Sequence, residues 1–105
     1  MKIQFLYSGG CHTWKASLEL LKNVLAEKHI TDNVEVFEVT TQEDAEKFKY
    51  TGSPQIMFDG EDIDPMAVRI TNYKVAGCRI FTYNDKSFEL PPQEMIEDAL
   101  AKHIK

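Results

Sequence analysis

Lys2-Ile3-Gln4-Phe5-Leu6-Tyr7-Ser8-Gly9-Gly10-Cys11-His12-Thr13-Trp14 decides how the chain is read. Residues 2–7 are an aliphatic and aromatic run ended by Ser8-Gly9-Gly10, the pattern of a strand closed by a turn. From Cys11 onward the hydrophobic period changes. Trp14, Leu18, Leu21 and Leu25 recur at spacings of three and four, with Val24 beside them, while Lys15, Glu19, Lys22 and Glu27 face the other way. That pattern predicts an amphipathic helix of about four to five turns ending near His29. Cys11 therefore falls at a strand-to-helix junction.

Further along, residues 34–39 (Val-Glu-Val-Phe-Glu-Val) read as a second strand. Thr40, with Glu43 three residues later, has the form of a capping box for a short helix over 42–50, with Ala45, Phe48 and Tyr50 inward. Thr51-Gly52-Ser53-Pro54 breaks that helix. Residues 55–58 form a third strand turned by Asp59-Gly60. Residues 61–77 contain Pro65 and no clear period, with a short helix or strand around 66–70. Residues 78–83 read as a fourth strand ended at Asn84-Asp85. Pro91-Pro92 opens a last helix, whose apolar face is Met95, Ile96, Ala99, Leu100 and Ile104.

The predicted order is β-α-β-α-β-β-α. The first βαβ unit must close by a right-handed crossover, which makes its strands parallel neighbours. Strands three and four, with no long helix between them, should be antiparallel. The expected fold is α/β: a mixed four-stranded sheet with helices on both faces, in a single domain over 1–105.

The 105 residues are 43% hydrophobic, enough for a core without a metal or disulfide framework. The net charge of -5 and the lack of a basic run argue against a nucleic-acid surface, which needs clustered Lys and Arg. No apolar stretch approaches the roughly 20 residues needed to span a bilayer, and the N-terminal run lacks the features of a signal peptide. A cytoplasmic protein without a membrane partner, a monomer or weak dimer, is expected. Two cysteines, Cys11 and Cys78, are too few for a disulfide scaffold.

At a helix start the first backbone N–H groups are unpaired and the macrodipole is positive. A Cys11 thiolate there is stabilised, so its pKa should fall and its reactivity rise. Gly9 and Gly10 give the backbone freedom to bring the thiol to the surface. The Ser53–Pro54 bond, if cis, would aim the Ser53 backbone at Cys11. His12 is read either as a stabiliser or general base for Cys11 or as a solvated residue of the first turn. Trp14 would cover the thiol or pack beneath it. Lys15 reads as a surface lysine, and His29 and His103 as helix C-terminal residues that suit the dipole. Tyr7 and Phe58 should pack the core. Cys78 has two readings: a core thiol at the far end of the sheet, or, if 61–77 folds back, a resolving cysteine or second soft-metal ligand. No His/Cys cluster has zinc spacing, so no metal site is expected.

The stretch from Phe5 to Trp14, together with Gly52-Ser53-Pro54-Gln55-Ile56-Met57-Phe58-Asp59-Gly60-Glu61-Asp62-Ile63, resembles the thioredoxin-like superfamily and, within it, the glutaredoxins. The resemblance covers almost the whole chain by element order. It implies a thioredoxin-like fold, Cys11 as the attacking thiol, Pro54 as the cis-proline, and Ser53 as the residue whose backbone pairs with a bound thiol substrate. Two departures stand out. Trp14 occupies the position of the second cysteine or serine, and the Gly-Gly plus Asp that grips glutathione is absent after strand three. The resemblance thus brings glutathione into view as a thiol partner but implies no bound cofactor.

The first functional expectation is a thiol–disulfide oxidoreductase of monothiol type. Cys11 would attack a disulfide on a protein or small molecule, with Ser53, Pro54 and Trp14 as the substrate surface. The second is a non-catalytic binding module that uses the same groove for a peptide. The third is handling of a thiophilic metal or organomercurial by Cys11 and Cys78. Fold alone does not choose between them.

Overall fold

The computed structural model describes residues 1–65, 67 and 79–103. Its elements follow in the order β1 (Ile3–Tyr7), α1 (Trp14–Glu27), β2 (Val34–Glu38), α2 (Gln42–Phe48), β3 (Gln55–Phe58), β4 (Glu61–Asp62), β5 (Phe81–Tyr83), β6 (Lys86–Phe88) and α3 (Gln93–His103). A mixed four-stranded sheet runs β2-β1-β3-β4, and β5 and β6 form a separate two-stranded hairpin. β1 and β2 are parallel, with Ile3 opposite Val34, as the crossover rule requires. β3 runs antiparallel to β1, with Phe5 opposite Ile56.

Successive side chains of a strand point to opposite faces, so β1 and β3 divide their residues between two layers. Ile3 and Phe5 join Ile56 and Phe58 on one face, under Leu21, Val24 and Leu25 of α1 and Met95, Ile96, Ala99 and Leu100 of α3. Leu6 and Met57 meet Ala45 of α2, with Val39 and Tyr50, on the other. The helices therefore cover both faces, as the periodicity implied. Ile104, expected on the α3 face, lies outside the described residues.

Local chemistry explains the ends. The α1 helix closes at His29, which takes a left-handed φ of 57°. His29 N–H donates to Ala26 and Ile30 N–H to Leu25, satisfying carbonyls that the last turn leaves open. For α2 the cap is Thr41 rather than Thr40, and its hydroxyl accepts from Asp44 N–H at 3.1 Å. The capping pair is thus shifted one residue along, since either threonine satisfies the pattern.

The expected order β-α-β-α-β-β-α needs correction. The fourth strand of the sheet is β4, inside the stretch read as irregular. It forms because Asp59 and Gly60 take φ of 52° and 84°, the two positive values of a tight hairpin turn. The chain folds straight back, setting Met57 opposite Asp62. Residues 81–83 pair instead with 86–88 across Asn84 and Asp85, again with φ of 51° and 64°. That strand begins at Phe81, so Arg79 and Ile80 precede it. The element expected around 66–70, apart from residue 67, and Cys78 itself lie outside the described residues. A second correction concerns β2: read as an ordinary strand, it is a sheet edge with Val36 43% and Phe37 41% exposed.

Candidate functional site

The turn after β1 places Cys11. Its N–H donates to the Ser8 carbonyl at 3.0 Å, so the chain curls back and carries the residue inward. Cys11 is 3% exposed, whereas the two glycines before it are exposed. The expectation of a thiol lifted to the surface by Gly9 and Gly10 is corrected: the turn tucks Cys11 under. The helix also begins later than expected. Its N-cap is Thr13, so Cys11 sits two residues upstream rather than in the first turn.

Cys11 is disulfide-bonded. Its only possible partner in the sequence, Cys78, lies outside the described residues. Cys11 Sγ lies 3.1 Å from Thr13 Oγ1, and a disulfide sulfur has no proton, so the hydroxyl is the donor. The same sulfur lies 3.5 Å from the Ser53 carbonyl oxygen.

The second wall of the site is the loop between α2 and β3. Ser53 and Pro54 are buried and joined by a cis peptide bond. Ser53 Oγ accepts from Ser8 N–H at 3.0 Å, clamping this loop to the cysteine turn. Ser8 Oγ and the Tyr50 hydroxyl are 2.7 Å apart. Tyr50 is 1% exposed, and burial raises its phenol pKa above the ordinary value of 10.0, partly offset by the Ser8 and Ser53 hydroxyls and by the Arg79 charge.

The third wall is one the sequence reading missed. Arg79 N–H donates to the Ser53 carbonyl at 3.0 Å, the same oxygen that faces Cys11 Sγ. The Arg79 side chain is buried. Its guanidinium donates to Asp62 Oδ2 at 2.9 Å and Thr51 Oγ1 at 2.8 Å, lies 3.7 Å from Asp64 Oδ2, and stacks 4.4 Å from the centre of the Phe81 ring. Thr51 in turn donates to Asp62. Gly52 makes room for this approach: with φ of 124°, an added Cβ would come 2.8 Å from Arg79 Cβ. The only sequence signal was a basic residue next to Cys78 and two aspartates in an irregular stretch.

The remaining residues settle as follows. His12 is exposed in the turn. Trp14 is half-buried, with its ring stacked on Tyr7 at 3.9 Å and the Lys15 amine 5.6 Å above it, so its apolar surface belongs to the α1 side of the core. Phe58 is fully buried, and Tyr7 packs against the same cluster. His29 and His103 stand at helix C-termini, and His103 Nδ1 lies 3.3 Å from Asp59. Two clefts of about 550 and 610 Å³ both include Thr51, Asp64 and Ala67, beside the Arg79 cluster. Among the described residues no group of three His, Cys, Asp or Glu side chains is placed to hold a metal, and no helix is long and apolar enough to cross a membrane.

Residues 2–100 match the family described as a domain of unknown function, DUF2703. The chain belongs to this family. No curated protein and no solved structure matches it. Among the described residues the fold is a small α/β domain with a mixed four-stranded sheet and three helices.

Proposed function

We propose that this DUF2703 domain is a thiol–disulfide exchange protein with a thioredoxin-like arrangement, in which Cys11 is the attacking thiol and Cys78 the resolving one. The observation that carries this reading is that Cys11 is disulfide-bonded inside a polar frame built by Thr13, Ser53 and Ser8. Trp14, three residues after Cys11, removes the local partner of a Cys-x-x-Cys site. A distant cysteine replaces it, and this favours the two-thiol mechanism over the one-thiol mechanism.

In the reduced protein the Cys11 thiolate attacks a substrate disulfide R–S–S–R′. An S–S bond forms between Cys11 and R, and R′ leaves as a thiolate that takes a proton. The Cys78 thiolate then attacks Cys11 Sγ, releasing R as a second thiol and forming the internal disulfide. Two electrons pass from the cysteine pair to the substrate, and a thiol reductant returns them. The Thr13 hydroxyl stabilises the Cys11 thiolate by a charge-assisted hydrogen bond. Because Cys11 lies upstream of the helix, this hydroxyl takes over much of the role assigned to the helix dipole. In a reducing cytoplasm, where this reading places the protein, a disulfide of this kind is transient and catalytic or redox-sensing. The partners are disulfide-bearing proteins or small molecules.

The test is turnover of a glutathione-capped peptide disulfide, run beside pH-dependent alkylation of the reduced protein. Cys11→Ser should abolish turnover, and Cys78→Ser should accumulate a mixed disulfide on Cys11. A Cys11 thiol pKa near the free value of about 8.5, with no turnover, would sink the proposal and leave a binding module.

A further inference from the structure

The sheet ends at β2: in the order β2-β1-β3-β4 no strand lies beyond it among the described residues. The opposite edge, β4, is two residues long and both are acidic, a short charged edge that resists pairing. β2 is five residues long and leaves Val36 and Phe37 43% and 41% exposed. Its outer backbone faces the same way. Val39 N–H donates to the Tyr7 carbonyl, and ladder bonds to one neighbour recur at every second residue, so Glu35 and Phe37 also face β1. The N–H and C=O groups of Val34, Val36 and Glu38 therefore point away from the sheet.

Charge decides which strand fits that row. β2 reads Val-Glu-Val-Phe-Glu, so a second copy laid parallel and in register would set Glu35 and Glu38 on their own counterparts, which is unfavourable. An antiparallel copy turned about Val36 sets Val36 on Val36, Glu35 on Phe37 and Glu38 on Val34. No carboxylate then stands directly across from another. The same axis matches the backbone: Val34, Val36 and Glu38 are the outward residues, and in this register they are the ones that exchange hydrogen bonds. The flanking lysines agree. Phe37 stands 5.5 Å from Phe48 of α2, and the Lys47 amine is 5.5 Å from that ring. Glu35 of the second copy, opposite Phe37, thus arrives on the side of the sheet that carries Lys47. On the other face Val34 and Val36 line a cleft of about 440 Å³ together with Lys22 of α1, and Glu38 of the second copy, opposite Val34, arrives there.

We propose that β2 is the self-association edge of this domain: two copies pair antiparallel about a two-fold axis at Val36, joining their four-stranded sheets into one. The pairing is isologous, so it closes at two copies. A strand of five residues makes a contact only about 17 Å long, so the dimer is a weak one that forms as concentration rises. The inference uses neither cysteine and stands apart from the exchange chemistry.

The experiment is sedimentation equilibrium of the oxidised protein from about 10 μM to about 1 mM, repeated with reductant; both series should show a monomer–dimer equilibrium. Glu35→Lys sets a lysine against Lys47 on both sides of the axis and should weaken dimerisation about tenfold. Lys47→Glu should do the same, and the double variant should restore the wild-type constant. Both side chains are exposed, so both variants should fold. Amide hydrogen exchange reads the register. From dilute to concentrated protein, Val34, Val36 and Glu38 should gain protection, whereas Glu35 and Phe37, already bonded to β1, should change little. A protein that stays monomeric at the highest concentration overturns the inference and leaves the edge to a strand of another protein. A dimer that reductant abolishes, or that Glu35→Lys leaves unchanged, overturns it as well, because a disulfide or a different surface then holds the copies together.

Discussion

Reducing the disulfide at Cys11 should cost the domain much of its stability, and the size follows from the chain. A bond between residues 11 and 78 closes a loop of roughly 70 residues, and the chain-entropy relation gives about 4 kcal/mol for a loop of that length. The native state should realise nearly all of this. Arg79 N–H and Cys11 Sγ already share the Ser53 carbonyl, so the reduced fold has little to gain by relaxing. At about 4–8 °C per kcal/mol for a domain near this size, the midpoint should drop roughly 15–30 °C. The assay is urea and thermal unfolding of the oxidised protein, the fully reduced protein and Cys11→Ser, followed by circular dichroism. The reduced protein and Cys11→Ser should behave alike, with a slope in urea larger than that of the oxidised form, because the uncrosslinked chain exposes more surface on unfolding. If reduction shifts stability by less than about 1 kcal/mol, the disulfide at Cys11 does not constrain the unfolded chain as a loop of this length should, and the chain-entropy account fails for this domain.

Three other outcomes follow from single contacts. Thr13→Ala removes the hydroxyl 3.1 Å from Cys11 Sγ, and in the reduced protein the thiol pKa should rise by about one unit, read from the pH dependence of alkylation; an unmoved profile would mean the hydroxyl does not bind the thiolate. Burial raises the Tyr50 pKa, so the folded state holds the phenolic proton more tightly than the unfolded one. Its contribution is complete below the unfolded value near 10 and is lost as pH rises through the folded value; Tyr50→Phe should flatten this alkaline loss in urea titrations while costing about 1 kcal/mol at neutral pH through the lost hydrogen bond to Ser8. Phe58→Ala empties a fully buried site between β1, α1 and α3 and should cost about 3–5 kcal/mol, with a cost below about 1 kcal/mol showing that the core collapses onto the gap.

The elements that declared themselves in the sequence are those with a long enough period. The α1 helix shows its face through Leu18, Leu21 and Leu25, and α3 through Met95, Ile96, Ala99 and Leu100, because three turns give the 3.6-residue repeat room to appear. The two-residue strand β4 cannot show alternation at all. Its signal was the turn chemistry of Asp59-Gly60, which marks a hairpin but not which residues follow as the partner strand. Hydrophobic content then drew the fourth strand toward Phe81-Thr82-Tyr83, a real strand with the wrong neighbour. Register within a hairpin is local, whereas membership of a sheet is decided by tertiary packing.

The same distinction explains the site. Cys11, Ser53 and Pro54 were legible because each sits beside a turn residue that fixes the backbone locally. Arg79 was not, since a lone basic residue in an irregular stretch is ordinarily solvated. Its role depends on three acceptors, at positions 51, 62 and 64, that meet only when β3 and β4 fold back on the α2 loop. Gly52 shows that this meeting is built into the backbone. A side chain there would collide with Arg79 Cβ, and its φ of 124° disfavours any residue other than glycine. Gly52→Ala should therefore weaken the approach of residue 79 to Ser53 without touching any charge. Urea denaturation should show a loss of more than about 1 kcal/mol. A variant as stable as the wild-type protein would show that the loop at Ser53 shifts to make room, and that the close backbone approach of Arg79 is not required.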